Sequence, residues 1–236
     1  AAAMTGNFTM DMTGAGTVGT VTTGAGADNI QMTTAVRTAG DYVIVTGAGN
    51  DNIGTAVAEG FTLDAGTGTD TLTFTGALDF SLQTVSLAGI ENVVNGAAVT
   101  LTAAAFATDN IFSKAGGGLL TVTGTANSDN VDATNVVVTA GTLTINGGLS
   151  ADTLTGAATA TTINGGNGND VITGGAAADT LNGDDGNDTI VTGNGGGNVA
   201  GGNGNDTITG GAGTDSITGG AGADTLTGGD GTDTYI

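Results

Sequence analysis

Gly165-Gly166-Asn167-Gly168-Asn169-Asp170-Val171-Ile172-Thr173 is the nonapeptide that decides the fold of this chain. Glycines in its first six residues supply the positive-φ conformations of a tight turn, and the turn closes on an aspartate. The last three residues are too few for anything but a short strand with one inward side chain, Ile172. Stepping outward by nine gives ten consecutive units, beginning at Gly147, Gly156, Gly165, Gly174, Gly183, Thr192, Gly201, Gly210, Gly219 and Gly228. Their sixth positions are Asp152, Thr161, Asp170, Asp179, Asp188, Gly197, Asp206, Asp215, Asp224 and Asp233. Their eighth positions are Leu154, Ile163, Ile172, Leu181, Ile190, Val199, Ile208, Ile217, Leu226 and Tyr235, every one apolar or aromatic. Compositional drift would not hold two such different demands in phase across all ten units.

Composition narrows what such a repeat can do. The 236 residues contain 47 glycines and no proline, cysteine, histidine or tryptophan, and only 3% are aromatic. A core built from them must be thin and filled by Val, Ile, Leu and Thr. Thiolate and imidazole metal sites, disulfides and the usual nucleophile and base pairings are excluded. Two cationic residues, Arg37 and Lys114, face 23 acidic ones, for a net charge of -21. Folding that brings these carboxylates together without internal counter-ions repels itself unless a cation joins. Nucleic acid and anionic membrane surfaces are excluded as partners, because binding phosphate needs the Lys and Arg this chain lacks. No apolar run reaches the roughly 20 residues of a spanning helix, so direct membrane insertion is not expected.

The pattern G-G-x-G-x-D-x-(apolar)-x resembles the nonapeptide of the RTX (repeats-in-toxin) calcium-binding family. The resemblance implies a parallel β-roll with two nonapeptides per coil, so that equivalent residues lie eighteen apart. One inward stripe would then be Leu154, Ile172, Ile190, Ile208 and Leu226, and the other Ile163, Leu181, Val199, Ile217 and Tyr235. At a strand spacing of about 4.8 Å, five coils make a rod of about 24 Å. The resemblance also implies multiple Ca2+ ions, each held between two loops stacked on one edge by loop carbonyls and aspartate carboxylates. Calcium favours such all-oxygen sets. Carried onto this sequence, the implied ligands are Asp152, Asp170, Asp179, Asp188, Asp206, Asp215, Asp224 and Asp233, with the backbone at Gly166, Gly168, Gly186, Gly202, Gly204, Gly213, Gly222 and Gly231.

The two edges should differ. The first carries an unbroken series, Asp152, Asp170, Asp188, Asp206 and Asp224, so ions are expected between the loops at Gly165, Gly183, Gly201 and Gly219. A weaker site is expected at Gly147, whose loop has Ser150 in place of the fourth-position glycine. On the second edge Thr161 and Gly197 interrupt the series, and only the loops at Gly210 and Gly228 form a complete pair. Asp184, Asp185 and Asp230 fall outside the sixth place and are read as solvated.

Upstream, three segments share the turn chemistry: 23–30, 46–53 and 65–72, closing on Asp28, Asp51 and Asp70. Their spacings of 23 and 19 suggest broader coils with added strand residues. For these three aspartates, metal binding and plain aspartate turns bonded to nearby amides both remain open. Strands are expected at 41–46 and 71–75, where β-branched residues suit a pleated surface. A helical turn is expected within 102–114, with a boundary at Gly116 to Gly118. The fold class is therefore all-β: an irregular, parallel β-helix-like solenoid over 1–118, transitional coils over 119–146, and an RTX β-roll over 147–236.

The family resemblance implies a bacterial, secreted or cell-surface protein exported by type I secretion. No secretion signal is recognisable near Ile236, which fits a piece of a longer chain. Leu87-Ala88-Gly89-Ile90-Glu91-Asn92-Val93 resembles a segment of large RTX-type surface-layer proteins. The expected role is a calcium-dependent surface-layer, filament or lattice subunit that self-associates, with cell-surface polysaccharide as a further partner. The alternatives are a repeat segment of a large adhesin and the carrier domain of a secreted toxin or enzyme. Catalysis within this chain is not expected: neither H-E-x-x-H nor G-x-S-x-G occurs, no lysine follows the glycine loops as phosphate binding requires, and the aspartates occupy near-identical loops.

Overall fold

The computed structural model describes residues 9–13, 20–34, 42–55, 61–68, 70–74, 78–79, 86–88, 92–94, 99–102, 112–115, 119–138 and 141–236. Every regular element among them is a β-strand, and every strand pairing is parallel. Four sheets result, each built from strands of successive coils. Sheet I contains β1 (Thr9–Thr13), β3 (Asn29–Thr34), β5 (Asn52–Thr55), β7 (Thr71–Phe74), β10 (Asn92–Val94), β12 (Phe112–Ala115) and β15 (Val136–Val138), in that order. Sheet II contains β2 (Thr20–Thr22), β4 (Tyr42–Val45), β6 (Phe61–Asp64) and β9 (Ser86–Ala88). Sheet III runs from β8 (Leu78–Asp79) through β11 (Val99–Thr102), β13 (Leu119–Thr123), β16 (Thr142–Leu149), β18 (Thr161–Asn167), β20 (Asp179–Asp185), β22 (Gly197–Asn203) and β24 (Asp215–Ala221) to β26 (Thr234–Tyr235). Sheet IV contains β14 (Asn130–Asp132), β17 (Thr153–Thr155), β19 (Val171–Gly175), β21 (Thr189–Gly193), β23 (Thr207–Gly211) and β25 (Thr225–Gly229).

The expected two-stripe roll is present. In sheet IV, Leu154 pairs with Ile172, Ile172 with Ile190, Ile190 with Ile208 and Ile208 with Leu226. In sheet III, Ile163 pairs with Leu181, Leu181 with Val199, Val199 with Ile217 and Ile217 with Tyr235. Alternation in the triplets from Leu154 to Ile217 sends the eighth-position side chain inward and its neighbours outward, as β19 shows with exposed Val171 beside fully buried Ile172. Leu226, by contrast, is half-buried, and Tyr235, expected in the inward stripe, is exposed because no further coil among the described residues covers it. Burying each such Leu or Ile contributes roughly 1.5–3 kcal/mol. A single apolar seam runs from Val21 to Ile217, with Leu226 packed against it, and it joins the upstream coils to the roll.

Coil width changes along the seam. Registers of 23 and 19 residues separate β3, β5 and β7, and 23 residues separate Asn130 from its partner Thr153. From Thr153 to Val171 onward the register is 18. In the last wide coil the excess is a third side: β14, β15 and β16 turn successively through sheets IV, I and III, whereas β17 leads directly to β18. Sheet I ends at β15 because the following coil spans its side with the short loop 156–160. β16 itself runs across position 146/147, continuing from wide coil into narrow.

Strands at 42–45 and 71–74 agree with the sequence expectation. Phe112–Ala115, at the end of the segment read as a helical turn, is strand. The rest of that segment within 103–111, the boundary at 116–118 and Gly89 to Glu91 of the surface-layer-like segment lie outside the described residues.

Candidate metal centres

Sixth-position aspartates form a hydrogen-bonded column on the first edge. The Asp152 amide donates to Asp170 Oδ1 at 2.7 Å, Asp170 to Asp188 at 2.8 Å, Asp188 to Asp206 at 2.9 Å and Asp206 to Asp224 at 2.9 Å. Each carboxylate thus ties its loop to the previous coil with one oxygen. The other oxygen has a different fate. Asp152, Asp170, Asp188 and Asp206 are only 1–2% exposed, and Oδ2 of each is buried without a hydrogen-bond partner. A buried, unpaired carboxylate oxygen is costly, so the column lacks a positive group.

The same deficit shows in the acidities. Burial raises Asp188 to about 6, against 3.8 ordinarily; the Asp170 amide pulls it down, and the charges of Asp170, Asp206 and Asp184 push it further up. Burial likewise raises Asp152 and Asp170.

Glycines shape the cradle in two ways. At the first position of each loop, a Cβ on Gly147, Gly165, Gly183, Gly201 or Gly219 would lie within 3.0 Å of Oδ2 of Asp152, Asp170, Asp188, Asp206 or Asp224 respectively. The first glycine is therefore required because the carboxylate of its own loop lies over it. At the second and fourth positions the requirement is conformational: Gly166 and Gly168 have φ of +102° and +133°. Gly186, Gly202, Gly204 and Gly222 share that left-handed geometry, while Asp184 and Ser150 adopt it as non-glycine residues at +70° and +79°.

The second edge departs from this plan. Asp179 accepts the Thr161 amide at 2.7 Å, keeps its Oδ2 unpartnered, and is raised by burial to about 6. The Asp215 amide donates to Asp233 Oδ1 at 3.1 Å, which joins the loops at Gly210 and Gly228. Neither oxygen of Asp215 has a hydrogen-bond partner, although the residue is 1% exposed. Burial raises it; the nearby Thr192 hydroxyl and Gly197 amide oppose the rise without reaching hydrogen-bonding geometry, and the Asp233 charge adds to it. Gly231 has φ of +128°, but Gly213 stays outside the left-handed region, so those two loops follow different paths. Thr161 closes its own turn, donating to the Thr159 carbonyl at 2.9 Å and accepting the Ala157 amide at 3.2 Å.

Upstream, Asp28, Asp51 and Asp70 also stack. The Asp28 amide donates to Asp51 Oδ1 and the Asp51 amide to Asp70 Oδ1, both at 2.8 Å, and all three are buried. Here the first loop position holds Thr23 and Thr46, whose hydroxyls donate to the Thr46 and Ala65 carbonyls of the next coil at 2.8 and 3.0 Å. Oδ2 of Asp51 is buried without a partner.

Asp129 escaped the sequence reading. Its amide donates to Asp152 Oδ1 at 2.7 Å, which extends the first-edge column by one coil. The motif Gly124 to Val131 has an aspartate in sixth and an apolar residue in eighth place, but it stands 23 residues from its partner instead of 18. The 23-residue spacing from Asp28 to Asp51 was the available signal. A second unnoticed feature is an asparagine ladder on sheet III: Asn164 Nδ2 donates to Asn146 Oδ1 at 2.8 Å and Asn182 Nδ2 to Asn164 Oδ1 at 2.7 Å. Asp185 accepts from Asn203 Nδ2 at 2.7 Å, so it is bonded on the surface as well as solvated.

The donor set contains only hard oxygens, and among the described residues no three carboxylates converge on one point. An ion suited to these loops takes carbonyl oxygens together with few carboxylates, which is the coordination habit of calcium. Orphaned Oδ2 atoms over glycine cradles fit such an ion. These features define a repeat protein of the β-solenoid class whose loops suit a metal ion. Residues 155–235 match the RTX calcium-binding nonapeptide repeat in four copies, over 155–190, 164–199 and 200–235, so the chain carries an RTX repeat array that binds calcium. A search of curated proteins gives no match.

Proposed function

We propose that this chain is a calcium-dependent structural protein of the bacterial exterior, a subunit of a surface layer or filament that is exported unfolded and sets into its rod outside the cell. The observation that carries the reading is the first-edge column, in which four successive buried carboxylates each keep one oxygen without a partner. Calcium supplies positive charge and accepts lone pairs at those oxygens. Asp152, Asp170, Asp188, Asp206 and Asp224 would hold it with the carbonyls of the loops around Gly166, Gly168, Gly186, Gly202, Gly204 and Gly222; on the second edge Asp179, Asp215 and Asp233 would do so with Gly213 and Gly231. Asp28, Asp51 and Asp70 form a third candidate column.

Ligand that binds only the folded state stabilises it by mass action, so folding follows the calcium concentration. At low calcium the unneutralised column opposes coiling; at extracellular calcium it is compensated. Repetition of one loop geometry favours a structural role over catalysis, since acid and base work needs carboxylates in contrasting environments. Self-association into a lattice, with surface polysaccharide as a further partner, accords with the exposed threonines of the outward strand faces, such as Thr153, Thr189, Thr207 and Thr225. The test is chelation followed by circular dichroism and electron microscopy. An ordered sheet or filament that dissolves on calcium removal and re-forms on its return is expected. A monomer unchanged in both conditions refutes the proposal, and a monomer that folds with calcium without assembling favours an adhesin or carrier segment instead.

A further inference from the structure

The coil just before the roll resolves its loop charge without a cation. Asp129 is only half-buried, and its Oδ2 accepts the Thr125 amide at 2.5 Å and the Thr125 hydroxyl at 3.0 Å. The same hydroxyl accepts the Asn127 amide at 3.1 Å. Across the coil boundary, the Ser150 hydroxyl donates to the Ala126 carbonyl at 2.9 Å, and the Leu149 amide to the Thr125 carbonyl at 3.2 Å. Oδ2 of Asp129 is thus engaged twice by its own loop, whereas Oδ2 of Asp152, Asp170, Asp188 and Asp206 is orphaned.

Two substitutions in the repeat cause the difference. Thr125 stands at the second loop position, where Gly148, Gly166, Gly202 and Gly220 take left-handed φ; Thr125 does not, and this brings its amide and hydroxyl onto the carboxylate. Ser150 stands at the fourth position and bonds a loop carbonyl that a cation would otherwise claim. Beneath them Leu120, Val122, Val131 and Val136 are buried, so this coil has its own apolar filling.

We propose that the coil at residues 119–138 is a calcium-independent base, held by Thr125, Asp129 and Ser150, on which the calcium-dependent roll is built. Its amides remain protected when the roll beyond Asp152 opens, and the roll coils onto a template that already displays the Asp129 amide to Asp152 Oδ1. The inference rests on the calcium reading of the Asp152 to Asp224 column.

Hydrogen exchange on the full chain, read by NMR or mass spectrometry in excess chelator and in calcium, tests it. In chelator the amides of Thr125, Asn127 and Asp129 are expected to exchange at least about tenfold more slowly than those of Asp170, Asp188 and Asp206. A smaller ratio, or loss of protection at one shared calcium concentration, overturns the proposal while leaving the calcium reading intact. Equal protection of Asp170, Asp188 and Asp206 with and without calcium overturns the calcium reading itself. The double variant Thr125→Gly/Ser150→Gly gives a second measurement: it should fold with calcium like the parent and lose the chelator-resistant protection. If that protection persists in the double variant, Thr125 and Ser150 are not what holds the base.

Discussion

Acidification should stabilise the calcium-free protein, the reverse of the usual behaviour of an acidic protein whose carboxylates are paired. Asp179 and Asp188 have folded-state values of about 6 because they are buried, against 3.8 ordinarily. A carboxyl raised on folding binds more protons in the native state, so stability falls as pH rises through the window from about 3.8 to about 6. Lowering the pH from 7.5 to 5 then returns about 1.4 kcal/mol per group, or about 3 kcal/mol for the two. Asp152, Asp170 and Asp215 shift in the same direction and add to it. Asp132 acts oppositely: hydrogen bonds from Thr134 lower it, so its contribution is lost on acidification, but it is exposed and the effect is small. With a urea m-value of about 2 kcal/mol/M, the unfolding midpoint in chelator should rise by about 1.5 M between pH 7.5 and 5. In saturating calcium the trend should invert, since protons compete with the ion for the same oxygens, and the two curves should converge toward low pH. A chelated protein that loses stability steadily from pH 7.5 to 5 would refute the claim that its carboxylates lack compensation.

Asp188→Asn keeps an oxygen for the Asp170 amide but removes the charge; its chelated form should be more stable at pH 7.5 than the parent, while calorimetry finds calcium binding weakened. Gly201→Ala puts a methyl group within 3.0 Å of Asp206 Oδ2 and the Gly219 carbonyl, so calcium-induced folding followed by circular dichroism should need markedly more calcium. Ile190→Ala, at a fully buried position, should cost about 2–5 kcal/mol in urea unfolding with calcium present. Its outward neighbour Thr189→Ala should change stability by less than about 0.5 kcal/mol.

Both stripes of the roll were legible because Ile172 and Leu181 obey one strict period and each triplet has room for a single inward side chain. Stacking of Asp28, Asp51 and Asp70 was legible in loop chemistry despite uneven spacing, since the turn fixes the aspartate whatever the length of chain between turns. Asp129 was not, because a rule of eighteen discards a partner at twenty-three. The reason for the first glycine was equally hidden. Sequence assigns Gly165 to a turn, but only the side-chain direction of Asp170 shows that the methyl group of alanine would compete with a carboxylate oxygen. Conversely, Gly213 fits the written pattern and yet lacks the left-handed backbone of Gly231, because the loop it stacks on, at Gly195 to Gly197, follows another path.

The fixed eighteen-residue register makes this rod a molecule whose length comes in whole steps. Excising 183–200, or duplicating it, would leave every remaining aspartate on its own edge and every inward Ile or Leu in its own sheet. Removing nine residues would instead exchange the edges beyond the cut, setting the complete carboxylate series against the interrupted one. Variation in rod length by whole coils is therefore open to the lineage that carries this gene, and variation by half coils is penalised.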